Sequence, residues 1–281
     1  VRASRIVAVL AALLAGAAGA VSASDEAPGR VVSINLCTDQ LAMMLAAPGQ
    51  LVSVSYLARD RRSAAMAEAA RDWPVNRSRA EEIYLLEPDL VLGGTWTTPA
   101  TVSMLRRLGI RVELLAPAGT FEETARQIRE VGRLLGRDAA GEAMARAFEA
   151  RLAAFPPVPA DPPRVALYAA NGLTSGRGSL ADEIIRRAGF RNVADEVNLP
   201  ATGRLALERL ILAEPDLVVT SRTYPGQSQS EAILDHPALE AYRARTAAGA
   251  ITDADWVCGL PQTLDAVERM IDLRLSLEAG G

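Results

Sequence analysis

At 281 residues the chain exceeds one ordinary hydrophobic core and suits two domains of common size or one large α/β domain. With 49% hydrophobic and 23% charged residues it can bury a core beneath a solvated surface, which excludes wholesale disorder. The formal net charge of -4 contains no basic tract, so no nucleic acid is expected as a partner; all 30 cations are Arg, a bias read as coding preference rather than function.

Arg2 and Arg5 precede a 16-residue apolar stretch from Ile6 to Val21, which small residues follow in Ala18-Gly19-Ala20 and Val21-Ser22-Ala23. That is the layout of a cleavable signal peptide over residues 1–23, with cleavage after Ala20 or Ala23. A spanning helix wants about 20 apolar residues, so an uncleaved anchor is the lesser expectation. No Cys at the end of the run offers a lipid acceptor. The mature chain is therefore expected to be periplasmic and soluble. Export also bears on Cys37 and Cys258, which an oxidising compartment lets pair if their Cα atoms come within about 7 Å. Both follow expected strands; a disulfide across two lobes, free thiols beside a ligand and two unrelated buried residues all stay open.

In chain order, the first unit is an apolar run at Val31-Val32-Ser33-Ile34, a turn over Asn35 to Thr38, and helical spacing from Asp39 to Ala47, with Thr38 as the expected N-cap. Strands are expected at Leu51 to Val54, at Leu90 to Leu92 before Gly93-Gly94, and at Arg111 to Leu115. Helices are expected at Ala80 to Leu86 and from Thr98-Pro99 to Gly109. Strands alternating with helices argue for a parallel sheet covered on both faces. Thr120 and Glu123 form a capping box for a helix that Gly136 can end. A second helix from Asp138 carries Ala140, Met144, Phe148, Leu152 and Phe155 along one face, a rod with a buried stripe. Five prolines among the nine residues 155–163 then forbid helix. Boundaries are accordingly set at residues 28–120 for an N-terminal lobe, 121–155 for a helical connection and 164–281 for a C-terminal lobe. In the second half, strands are expected at Arg164 to Ala169 and Leu217 to Thr220, and helices at Leu180 to Ala188, Ala206 to Ala213 and Gln262 to Leu277.

The halves repeat one another. Residues 81–91 and 208–218 match at seven of eleven positions at a constant offset of 127, including Glu-Pro-Asp-Leu-Val. This points to two pseudo-equivalent α/β lobes with mainly parallel sheets, joined by one long helix. In such sheets ligands bind beyond the carboxyl ends of the strands. There the sequence concentrates amphipathic rings: Tyr56, Trp96, Tyr168, Tyr224 and Trp256, whereas the four Phe lie in or beside helices. Trp96 and Tyr224 follow the repeated Pro by eight and nine residues, so each lobe can present one ring. Rings facing across a cleft suit a large, partly flat ligand; rings that merely cover sheet edges are the bland alternative.

The Arg30-Val-Val-Ser-Ile-Asn opening, the paired Glu-Pro-Asp-Leu-Val segments, the single long helix, Asp235-His236-Pro237 and Asp255-Trp256 together resemble the periplasmic substrate-binding proteins for vitamin B12, ferric siderophores and haem. The resemblance covers nearly all of the mature chain. It implies a monomer that delivers a small molecule to an ABC permease dimer in the inner membrane. It also implies one surface Glu per lobe docking onto permease arginines, seven residues before the repeated Pro: Glu81 and Glu208. Without the resemblance each would be read as a solvated helix carboxylate. A single rod between the lobes further implies modest closure.

Ligand contacts are expected from Tyr56, Trp96, Tyr224 and Trp256 as stacking rings and from Arg59 and Arg222 as anchors for anionic groups. Cys37 and Thr38 are added from the first loop, and Asn171 from a glycine-containing loop able to offer amides at a helix N-terminus. The Asn35-Leu-Cys-Thr-Asp39 loop departs from the Pro-Ser type common in the family, which leaves the ligand open; a corrinoid ranks first, then a ferric siderophore or haem. The rival classes are an exported hydrolase or redox enzyme using Cys37, and a sensor with the same lobes. The single His236 and the lack of a Gly-x-Ser-x-Gly elbow argue against a catalytic triad. No cofactor and no metal site are expected.

Overall fold

The computed structural model describes residues 27–221, 228–244, 247–251 and 253–280. The expected signal peptide, Arg222 and Tyr224 lie outside them. The first half runs β1 (Val31–Ser33), α1 (Leu36–Leu45), β2 (Leu51–Ser55), β3 (Val75–Asn76), α2 (Ala80–Tyr84), β4 (Leu90–Gly94), α3 (Pro99–Arg107) and β5 (Arg111–Leu115). Two helices follow, α4 (Phe121–Leu134) and α5 (Asp138–Ala153). Then come β6 (Arg164–Tyr168), β7 (Leu173–Thr174), α6 (Leu180–Arg187), β8 (Arg191–Asn192), α7 (Val193–Glu196), β9 (Gly203–Arg204), α8 (Leu207–Ala213), β10 (Leu217–Ser221), α9 (Pro237–Arg243), β11 (Ala247–Ile251) and α10 (Thr263–Gly280).

The first sheet is ordered β3-β2-β1-β4-β5 and the second β11-β10-β6-β8, all parallel; β7 and β9 form a separate antiparallel pair. Read from the same side, β2-β1-β4-β5 and β8-β6-β10-β11 are one topology used twice. Side chains alternate across each strand. Val31, Leu90 and Leu92 of the first sheet and Val165, Leu167, Leu217 and Val219 of the second point inward into a single core cluster. That cluster also contains Ile128 of α4, Phe148 of α5 and Met270 of α10, so helices from the middle and end of the chain are shared between the two sheets. The opposite faces close separate clusters, with Val32 and Val91 under α2 and α3, and Ala166, Tyr168 and Val218 under α8 and α9.

The capping box at α4 forms: Thr120 Oγ1 accepts from Glu123 N, while Glu123 Oε2 accepts from Gly119 N at 2.7 Å. The helix ends in a Schellman turn, with Arg137 N donating to Gly132 O and Gly136 at φ 66°. α5 then folds back on α4, its Phe148 meeting Phe121 edge-on at 6.0 Å, and Arg151 reaches Asp265 and Glu268 of α10 at 2.6 and 2.9 Å. The rod is therefore buttressed on two sides.

One expected cap moves. Asn35, not Thr38, caps α1: its Oδ1 accepts from Cys37 N and Thr38 N, so the helix starts three residues earlier than expected. At α3, Thr98 occupies the cap but its side chain makes no capping bond, while Thr97 Oγ1 accepts from Gly94 N.

The repeated segment has the same build in both lobes. Glu87 and Glu214 adopt left-handed φ of 47° and 48°, a conformation costing about 1–2 kcal/mol for a residue with a Cβ. The Asp two residues on then grips the start of the first strand. Asp89 Oδ2 accepts from Gly29 N and Arg30 N at 2.9 and 2.8 Å, and Asp216 Oδ2 accepts from Arg164 N at 2.7 Å. Arg30 and Arg164 return the contact, donating to Glu87 O and Glu214 O. The turn is a clamp holding two neighbouring strands in register.

Candidate ligand cleft

The carboxyl ends of both sheets face a cleft of about 590 Å³. Trp96, Pro117 and Ala118 form its wall on the first lobe; Leu180, Ser221 and Trp256 stand on the second. Trp96 follows β4 in a short loop and is 85% exposed, a large indole presented to solvent. Trp256 follows β11 and is half-buried against the shared core, beside an ion pair between Asp255 and Arg269. Small residues and hydroxyls fill the space between, including Thr174, Ser175, Ser179 and Thr202. At the floor the lobes meet main chain to main chain: a Cβ on Gly119 would lie 2.6 Å from Gly178 O. The surface is broad, largely uncharged and bounded by two indoles.

Cys37 and Cys258 form a disulfide with Cα atoms 5.2 Å apart. It ties the first turn of α1 to the segment after β11 and so staples the two lobes beside the cleft. This settles the alternatives left open by the sequence. It also removes Cys37 as a free thiol, and with it the nucleophile of the enzyme alternative.

The remaining expected contacts separate. Tyr56 opens a 3₁₀ turn directly after β2 and is 55% exposed on the cleft end of its lobe. Arg59, three residues on, is exposed but committed to main chain: it donates to Ala70 O, Arg71 O and Trp73 O, the last at 2.6 Å, and so braces the irregular stretch before β3 instead of standing as an anion anchor. Thr38 is also corrected. Buried at 2% exposure, it bonds Ser33 Oγ and the carbonyl oxygens of Asn35 and Leu92, and cannot reach a ligand. Asn171 is exposed at φ 58°, its N–H donating to Ser230 O. Of its loop, Ser175, Gly178 and Ser179 rather than Asn171 line the cleft, and Ser179 spends its hydroxyl capping α6. Tyr168, one of the five rings at strand ends, is buried at 2%; burial and the nearby Glu208 carboxylate push its phenol pKa up. His236 caps α9, its Nδ1 accepting from Ala238 N.

Glu81 and Glu208 occupy the first turns of α2 and α8, both exposed and neither in an ion pair among the described residues. Asp39, which sequence reasoning passed over, lies fully buried between α1 and β2, accepting from Ser55 N at 3.0 Å and from Ser55 Oγ. Burial, opposed only in part by the bonds from Ser33 and Ser55, raises its pKa to about 6.

Two lobes of one topology, stapled beside a ring-walled cleft at their strand ends, define a bilobal solute-binding protein. The family model described as periplasmic binding protein matches residues 31–247, and the chain belongs to that family. Membership makes it a binding protein rather than an enzyme, with a ligand in place of a catalytic cofactor. A cobalamin-binding protein of Halobacterium salinarum is 29% identical over 201 residues, covering 70% of this chain and 54% of the relative. The chain thus spans about half the length of the curated relatives it matches. Among solved structures, the apo periplasmic heme-binding protein RhuT from Roseiflexus sp. RS-1 is similar with a TM-score of 0.72 at 24% identity, over 88% of this chain and 98% of that one. The periplasmic vitamin B12 binding protein BtuF of Vibrio cholerae aligns with a TM-score of 0.64 at 19% identity, over 89% and 98%.

Proposed function

We propose that the chain is the periplasmic solute-binding component of an ABC importer, which captures a corrinoid in its cleft and delivers it to a permease dimer in the inner membrane. The carrying observation is the cleft wall itself: Trp96 and Trp256 stand on opposite lobes above a surface of small apolar side chains and hydroxyls. A corrinoid is a wide macrocycle fringed by neutral amides, which stack on indoles and bond to hydroxyls without needing a countercharge. The curated relatives described as cobalamin-binding proteins support the same choice. Ferric siderophores and haem rank next. Tyr56 is proposed as a further stacking ring; Tyr224 and Arg222, expected from the sequence as a ring and an anion anchor, lie outside the described residues. The working unit comprises lobes 28–120 and 164–281 bridged by 121–155, exported by the leader at 1–23 and acting as a monomer, with Glu81 and Glu208 docking on permease arginines.

Titration of the purified protein with cyanocobalamin, haemin and a ferric hydroxamate, followed by Trp fluorescence and thermal midpoint, tests this reading. Cyanocobalamin is expected to quench fluorescence and raise the midpoint, since a ligand bound only by the native state must stabilise it. Trp96→Ala and Trp256→Ala are each expected to weaken binding by about tenfold, roughly the worth of one ring contact. No response to any of the three compounds rejects the ligand class.

A further inference from the structure

The two docking helices share more than their glutamates. Four residues after Glu81 stands Leu85, and four after Glu208 stands Leu212, which places acid and leucine on one helix face in each lobe. Leu85 is 79% exposed and Leu212 82%. Single exposed leucines are ordinary and need no cause. This pair differs because of what changed around it. In the duplicated segment ahead of the turn, the fully buried position differs between copies, Ile83 against Leu210, and so do the pairs Glu82/Arg209, Tyr84/Ile211 and Leu86/Ala213. Only the acid and the exposed leucine are the same. Packing constrains buried positions and leaves exposed ones free, so identity confined to the exposed face points to something outside the chain that meets both lobes alike.

We infer that Leu85 and Leu212 are paired apolar anchors for the membrane partner, each seating in an apolar socket beside the basic residue that takes Glu81 or Glu208. This rests on the importer reading given above. Two equivalent acid-leucine patches fit a two-fold symmetric partner, one patch per subunit. On the first lobe the patch widens into a groove of about 250 Å³ through Tyr84, Met104 and Leu108. On the second, the neighbouring α9 exposes Glu240 and Ala241 instead, a less apolar surface beside the leucine. The first lobe should therefore contribute more of the affinity.

The photo-cross-linking residue p-benzoylphenylalanine, placed at Leu85, at Leu212 or at the exposed control Val158 in the full chain in its producing strain, tests the inference. Positions 85 and 212 are expected to cross-link to the same polytopic membrane protein, and position 158 to none. Leu85→Glu with Leu212→Glu should cut uptake of the solute identified by titration at least tenfold while its affinity for the cleft is unchanged; Leu85→Glu alone should cost more than Leu212→Glu alone. Full uptake by the double variant, alongside uptake abolished by Glu81→Arg with Glu208→Arg, overturns the leucine anchors and leaves glutamate docking standing. Full uptake by both double variants rejects docking through these helices altogether. Cross-links to a second copy of the chain, to two different proteins, or to nothing also overturn the inference.

Discussion

The two lobes are alike where strands begin and unlike where they end. At the start of each sheet an Arg, an Asp and a left-handed Glu make the same clamp, through Arg30, Asp89 and Glu87 in one lobe and Arg164, Asp216 and Glu214 in the other. At the cleft ends, the first lobe adds β3 and the irregular stretch braced by Arg59, while the second adds α7 and the β7–β9 pair. The central pairs keep one register in both lobes, Val31 opposite Leu90 and Val165 opposite Leu217, because a one-residue slip would turn every core side chain outward. Opposite walls of a cleft meet different faces of a ligand and have no reason to match.

The disulfide is the sharpest break in the equivalence, and removing it should have the largest effect. Cys37 is the second residue of α1; the second residue of α6 is Ala181, so the staple has no counterpart. It closes 221 residues of sequence, and its loss is expected to cost roughly 2–5 kcal/mol. Calorimetry of Cys37→Ser with Cys258→Ser should show a midpoint lower by several degrees. An unchanged midpoint would mean that the core shared through α4, α5 and α10 already holds the lobes together without it.

Each lobe also buries an Asp on its first helix facing its second strand. Asp182 is paired with Arg186 at 3.0 Å and bonded by Asn192 of β8, whereas Asp39 has Ser55 of β2 and no cation among the described residues. The pKa of Asp39, raised to about 6 from 3.8, makes the native state bind the proton more tightly than the unfolded chain. Its contribution is therefore fully present below about pH 4 and lost as pH rises through 6, a swing of about 3 kcal/mol. Asp39→Asn keeps an acceptor for Ser55 N and removes the charge. The stability of the variant relative to the parent, measured by urea unfolding, should rise between pH 4 and 6 and level off above. A difference that stays flat across that range would show Asp39 ionised without penalty.

Much of the framework was legible because its signals are local. The capping box at Thr120 and Glu123, the repeated turn and the apolar runs of β1, β4, β5, β6 and β10 each declare themselves within a few residues. Asn35 and Thr38 show how such signals mislead: both residue types cap helices, and the choice was made by Leu36, which must be helical to enter the core. β7, β8 and β9 are two residues long, too short for any period, and the Ala-rich β11 lacks strand composition. The site was less legible. Strand-end placement picked out Trp96 and Trp256, which line the cleft, and Tyr56, which is exposed at the same end of its sheet but is not in the cleft lining; Arg59 and Thr38 were lost to partners far away or buried, which no spacing reports. Strand-end placement made a Cys37–Cys258 bridge one of three open readings, and only the three-dimensional structure, with the Cα atoms 5.2 Å apart, selects it.

The smallest expected effect tests the equivalence most closely. Glu87 and Glu214 hold their left-handed conformation with exposed side chains in no ion pair among the described residues, while their carbonyl oxygens take the bonds from Arg30 and Arg164. Glycine meets no steric penalty there, and its greater freedom in the unfolded chain returns only part of the relief. Glu87→Gly and Glu214→Gly should therefore each stabilise by about 0.5–1 kcal/mol, seen as a higher urea midpoint at unchanged slope. Because the clamps are built alike, the two gains should be equal and additive, the sites lying in separate sheets. A gain at one and a loss at the other would mean that one lobe uses its glutamate side chain, and that the repeat has already been put to different uses in its two copies.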